Sequence, residues 1–142
     1  HARSEHTVNG MQYPLEIHFV HQNTSTGQLA VLGVFVKAGR FNKDWAPVTT
    51  FLDDNSPSPE TELGSATLNL WKLYPGNQRT TRYVGSLTTP PCSEGVLWNV
   101  LMTPIEMSVD QIESFTRYYN DNYRLVQPLN GRTVRVDSTP NS

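Results

Sequence analysis

From Tyr13 onward the chain alternates, with Leu15, Ile17 and Phe19 directed to one side and Glu16, His18 and Val20 to the other. Successive side chains of a strand point to opposite faces, so this spacing predicts a strand with one apolar and one mixed face. A polar turn over 21–28 follows. Residues 29–36 are then apolar at nearly every position, as in a strand covered on both faces, and the two runs read as a hairpin. Further along, Ser58-Pro59-Glu60 offers an N-cap with proline at the first helical position. Leu63, Ala66 and Leu70 continue at helical spacing until Tyr74-Pro75-Gly76 stops the helix. Residues 83–87 and 95–101 read as strands flanking Thr88-Thr89-Pro90-Pro91, where two prolines forbid continued pairing and predict a stiff loop. Ser108-Val109-Asp110-Gln111 forms a capping box, with Met107 and Ile112 as its hydrophobic staple and Ile112, Phe115 and Tyr119 as the apolar stripe. Residues 123–136 return to short extended structure. The pattern is mainly sheet with one or two short helices.

Composition narrows the class. A chain of 142 residues with 37% hydrophobic and 17% charged residues is the size and balance of one folded globular domain. Its net charge of −2 gives no electrostatic reason for a nucleic-acid or anionic-membrane partner, and no apolar run approaches the roughly 18 residues of a membrane span. Arg79, Arg82 and Tyr83, or Arg117-Tyr118-Tyr119, do not amount to a basic stacking groove in so balanced a sequence. The single cysteine, Cys92, fits either a buried thiol or half of a bridge to another chain or segment, and Asn23-Thr24-Ser25 is a glycosylation sequon in a turn.

Glu16 and His18 share one strand face about 6.6 Å apart, close enough for a carboxylate to orient an imidazole or to join its ligand set. His1, His6 and His21 add candidate ligands, and a catalytic zinc site needs three protein ligands and an open position. Spacing alone does not choose among the four histidines. A serine-nucleophile elbow and a phosphate-binding loop are both absent from the sequence.

Five blocks in order nevertheless resemble one family. Ser4-Glu5-His6-Thr7-Val8-Asn9-Gly10, Leu15-Glu16-Ile17-His18-Phe19-Val20-His21 and Leu29-Ala30-Val31-Leu32-Gly33-Val34-Phe35 are followed by Gly85-Ser86-Leu87-Thr88-Thr89-Pro90-Pro91-Cys92-Ser93-Glu94-Gly95-Val96-Leu97-Trp98 and by Asn122-Tyr123-Arg124-Leu125-Val126-Gln127-Pro128-Leu129-Asn130-Gly131-Arg132. Together they resemble the signatures of the alpha class of carbonic anhydrases.

The resemblance implies a large, twisted, mostly antiparallel sheet, here a single domain over 1–142 that is incomplete at its N-terminal side. It implies a zinc ion held by His18 and His1, with a further histidine expected two residues before His1. His6 and His21 stay structural. Zinc brings the pKa of a bound water to about 7, and the hydroxide attacks carbon dioxide to give bicarbonate. Thr88 would donate to Glu5 and orient that attack, while Glu16 and Asn122 would hold the zinc ligands from behind. Val20, Val31, Leu87, Val96 and Trp98 would line the carbon dioxide pocket, with Thr89 beside the substrate. Cys92 would pair with a cysteine outside the chain, which with Asn23 as a glycan acceptor suggests a secreted, periplasmic or lumenal protein. The alternatives are a non-catalytic binding module of the same fold, and one part of a multi-chain assembly completed by a complementary chain.

Overall fold

The alternation after Tyr13 becomes β1 (Leu15–Gln22) and the continuous apolar run becomes β2 (Leu29–Ala38), paired antiparallel as a hairpin in a computed structural model that describes residues 1–55, 63 and 68–137. β1 runs further than its hydrophobic pattern: His21 and Gln22 pair with Ala30 and Leu29, so the polar turn begins at Asn23 rather than His21. The Asn23 side-chain oxygen accepts from the backbone N–H groups of Ser25 and Thr26 (2.9 and 3.1 Å). That local bond tightens the turn and lets two polar residues remain in the ladder.

After β2 comes α1 (Ala46–Asp54), which the sequence reading missed. Its signal is Pro47 in the first turn with Trp45, Val48 and Leu52 at helical spacing, but Trp45 supplies no side-chain cap to mark the start. The helix expected from Ser58 falls mostly outside the described residues. Leu63 lies in irregular backbone, and Leu70 opens α2 (Leu70–Leu73), a single turn capped by Asn69.

β3 (Thr80–Ser86) and β4 (Glu94–Met107) flank the proline loop, which is closed by Leu87 N–H to Ser93 O (2.9 Å) and Cys92 N–H to Thr89 O (2.8 Å). α3 (Val109–Thr116) follows with its capping box formed, and Tyr119 lies beyond its end. Extended pairing in the last stretch is confined to β5 (Arg135–Val136). A turn with Asn130 and Gly131 in left-handed backbone (φ 50° and 77°) keeps the preceding residues out of the sheet.

The sheet order is β1-β2-β4-β3-β5, with β2 and β4 parallel and every other pair antiparallel. The β2–β4 register slips between Val34 and Val36, opposite Leu101 and Ile105, so Pro104 sits in a bulge where its missing N–H breaks no ladder bond. One face of the sheet buries Leu15, Val34, Val36 and Leu101 against Trp45, Leu73 and Ile112. The other carries Val31, Phe35, Val96, Trp98 and Val100, along with Glu16 and His18 of β1. No helix among the described residues is long and apolar enough to cross a membrane.

Gln111 does more than cap. Its side-chain oxygen accepts from Asn42 N–H (2.7 Å) and Ser108 N–H (3.3 Å), while its amide donates to Asn42 O (2.9 Å), so one buried side chain ties the segment after β2 to α3. Gln111→Ala leaves both Asn42 groups without partners and lowers unfolding free energy by about 1–3 kcal/mol. Urea denaturation followed by tryptophan fluorescence checks this, and an unchanged midpoint contradicts it.

Candidate metal centre

Glu16 is fully buried, yet it is ionised and saturated. One carboxylate oxygen accepts from the backbone N–H groups of Glu5 and His6 (both 2.8 Å). The other accepts from His6 Nδ1 (2.6 Å) and His18 Nε2 (2.9 Å). Burial pushes the Glu16 pKa up, but the hydrogen bonds and charge of His18 and His6 outweigh it and hold the group well below the usual carboxylate range. Gly33 lies directly opposite His18, and a Cβ there would meet Glu16 Oε1 at 3.0 Å. The absent side chain makes room for a carboxylate that four donors pin in place.

Because an ionised carboxylate only accepts, His18 must carry a proton on Nε2, so in the neutral ring the lone pair lies on Nδ1. His1 is fixed the opposite way. Its Nδ1 lies 3.0 Å from the backbone carbonyl of Asn122, which can only accept, so Nε2 carries the lone pair. The Asn122 side chain adds a second tie by accepting Ala2 N–H at 2.9 Å. His1 itself is held against β1 by reciprocal backbone bonds with Glu16 (2.8 and 3.0 Å), in register with the Ala2–Leu15 bridge.

The two free nitrogens converge on Glu5. His1 Nε2 is 3.4 Å and His18 Nδ1 3.8 Å from Glu5 Oε2, a buried oxygen that receives no hydrogen bond. Glu5 Oε1 is already engaged by Arg124 N–H at 2.7 Å. With both imidazoles neutral, their lone pairs and Glu5 Oε2 face one another within 4.8 Å, an arrangement suited to a cation or a hydrogen-bond donor. His6, Glu16 and His18 form a second cluster of possible ligands, but there both ring nitrogens donate to an oxygen that is already filled.

Val20, Val31 and Trp98 stand in one row across β1, β2 and β4 on the same face as His18, and Val96 precedes Trp98 by two positions on β4. Val31, Val96 and Trp98 are buried, Leu87 is half-buried against them, and Val20 and Thr89 are exposed. The Trp98 ring meets the edge of His18 at 4.8 Å between centroids. Thr88 and Glu5 both line a cavity of about 480 Å³ with Tyr83, Phe35, Arg124 and Leu129, whereas His1 and His18 do not line it. No bond from Thr88 to Glu5 is made among the described residues. Cys92 is a free thiol in left-handed backbone (φ 57°) and has no partner cysteine in this chain, while Asn23 is exposed on its turn. His21 lies away from the centre in a groove with Trp71 and Arg82.

Three participants were not legible beforehand. His6 was read as merely structural, yet it joins Glu16 to the Tyr83 hydroxyl (2.6 Å from Nε2). Its position next to Glu5 was the only signal. Tyr83 is held neutral by burial and by the charge of Glu16, which outweigh the opposing effect of Arg132. Arg124 acts through its backbone, which side-chain chemistry cannot announce.

One face of the sheet thus brings together His1, His18 and the buried carboxylate of Glu5, a group of side chains that could hold a metal ion. The chain belongs to the carbonic anhydrase family: the model of the eukaryotic-type carbonic anhydrases matches residues 1–138. It is 43% identical over 137 residues to a carbonic anhydrase of the cyanobacterium Nostoc, covering 94% of this chain and 50% of that protein. It is 40% identical over 139 residues to one from Klebsiella pneumoniae, covering 94% and 54%. Among solved structures, the alpha-carbonic anhydrase of Thermovibrio ammonificans in complex with the inhibitor sulfanilamide superposes with a TM-score of 0.85 at 49% identity, over 94% of this chain and 58% of that one. The chain thus spans about half the length of the curated relatives it matches.

Proposed function

We propose that this chain supplies two of the three zinc histidines of a carbonic anhydrase, His1 and His18, and that the protein carries out zinc-dependent, reversible hydration of carbon dioxide to bicarbonate and a proton. The observation that carries this reading is the convergence of His1 Nε2, His18 Nδ1 and the partnerless Glu5 Oε2. When bound, zinc supplies acidity, bringing water to a pKa of about 7 so that hydroxide is available at neutral pH.

The chain's own residues do the rest. Asn122 O and Glu16 fix the two imidazole tautomers, so no reorganisation is needed when the metal enters. Thr88 donates its hydroxyl proton to Glu5 Oε2, which leaves the threonine lone pair to accept from the attacking hydroxide and aim it. Glu5 acts as an acceptor: Arg124 N–H already donates to its Oε1, and Oε2 is left to accept from Thr88. Val20, Val31, Leu87, Val96 and Trp98 offer an apolar wall to carbon dioxide, and Thr89 lies at its rim. Intact His18, Glu5 and Thr88 favour catalysis over a purely binding role. Exposed Asn23, and Cys92 as half of a bridge to a cysteine outside the chain, accord with a secreted, periplasmic or lumenal protein.

Register supports a position for the third ligand. Ala2 pairs with Leu15 and His1 with Glu16, so each step back along the N-terminal residues is one step forward along β1. Continued upstream, that pairing brings the residue two before His1 directly across from His18, on the same face. We assign a histidine there, from a preceding segment or a complementary chain. Reading the coding sequence upstream of His1 checks this, and any non-ligating residue at that position, with no complementary chain, contradicts it.

With that histidine present, Thr88→Ala lowers kcat/KM for carbon dioxide hydration by on the order of 10²-fold through lost orientation, and zinc affinity is unchanged. Stopped-flow hydration assays paired with chelator competition separate the two. An unimpaired rate removes Thr88 from the mechanism.

A further inference from the structure

We propose that Arg132 is a positioning residue for the metal centre, reaching His18 through Tyr83, His6 and Glu16; the inference rests on His18 being a metal ligand. Arg132 belongs to the segment after Asn122, whose Leu125, Val126 and Leu129 are exposed. Its guanidinium is nevertheless fixed. Nε donates to Leu129 O (2.8 Å) and Nη2 to Pro128 O (2.7 Å), so the turn it closes also aims it. Cζ then lies over the Tyr83 ring, 5.8 Å from its centroid, within the range of a cation–π contact.

Tyr83 has little freedom left. Its ring packs parallel to Trp98 (interplanar angle 7°), and a Cβ on Gly85 would come within 2.6 Å of it, so the missing side chain is what admits the ring. Since His6 Nδ1–H donates to Glu16, Nε2 of the neutral ring accepts, with the Tyr83 hydroxyl as donor at 2.6 Å. His6 ends on Glu16 Oε1, the oxygen that also takes the His18 Nε2 proton. Where the phenol sits therefore sets the tilt of the His6 ring, and that tilt sets where Glu16 holds His18. The same C-terminal segment touches the centre a second time through Arg124 N–H on Glu5. Arg124 and Arg132 of this segment thus bear on both carboxylates of the site.

The test is a double-mutant cycle on zinc affinity, read by competition with a chromophoric chelator, with the visible spectrum of the cobalt(II) form as a second readout of ligand geometry. Tyr83→Phe keeps the ring but removes the donor and weakens zinc binding about 10-fold, as loss of a partner behind a metal ligand does. Arg132→Gln weakens it by about 3–10-fold and shifts the cobalt spectrum. In the double variant the loss is no greater than for Tyr83→Phe alone, because Arg132 acts only through that hydroxyl. Arg132→Lys keeps the charge but cannot bridge both carbonyls, and it falls between wild type and Arg132→Gln. An Arg132→Gln variant with unaltered affinity and spectrum overturns the proposal, as do independent effects in the double variant. All variants are made in the protein that carries the upstream histidine, and failure of that wild-type protein to bind zinc or cobalt overturns the ligand assignment itself.

Discussion

A single buried charge organises this molecule. An ionised carboxylate removed from water costs several kcal/mol unless its oxygens are filled, and Glu16 meets that demand with two backbone and two imidazole donors. Each donor constrains something else. The backbone pair locks the Glu5–His6 corner against β1, His6 reaches on to Tyr83, and His18 is left with one lone pair pointing outward. Gly33 belongs to the same constraint, since any side chain there would crowd the carboxylate. Removing Glu16 would free the corner, both rings and the ligand direction together.

The centre is built from two different kinds of support. His18 is oriented by a side chain on its own strand, whereas His1 is oriented by a main-chain carbonyl more than a hundred residues away in sequence. The second contact requires the C-terminal segment to return across the sheet, where Asn122 and Arg124 contact the first residues of the chain and Arg132 contacts Tyr83. Glu5 is where the two supports meet: its Oε1 accepts from Arg124 N–H, and its buried Oε2, facing His1 and His18, accepts no hydrogen bond.

Much of this was legible because it obeys local rules. Two-residue alternation placed Glu16 and His18 on one face, the Ser108–Gln111 box marked α3, and the double proline marked the loop after β3. What escaped depends on main-chain groups or long-range register. α1 has no capping side chain, β1 extends because Asn23 tightens the turn, and the residues between Tyr123 and β5 are held by turns and arginine contacts rather than by strand pairing. The site shows the same division. Glu5, Glu16 and His18 could be named from the family resemblance, but the roles of His6, Tyr83 and the Arg124 N–H depend on distances that no spacing rule contains.

The fixed tautomers are the most exposed part of this account, and nitrogen-15 NMR of the histidine side chains reads them directly. The expected spectrum has His18 protonated at Nε2 and His1 at Nδ1, with zinc perturbing His18 Nδ1 and His1 Nε2 while the protonated nitrogens keep their protons. The same tautomer at both residues, or a zinc-induced shift at His18 Nε2, would contradict the ligand directions on which the proposed chemistry stands.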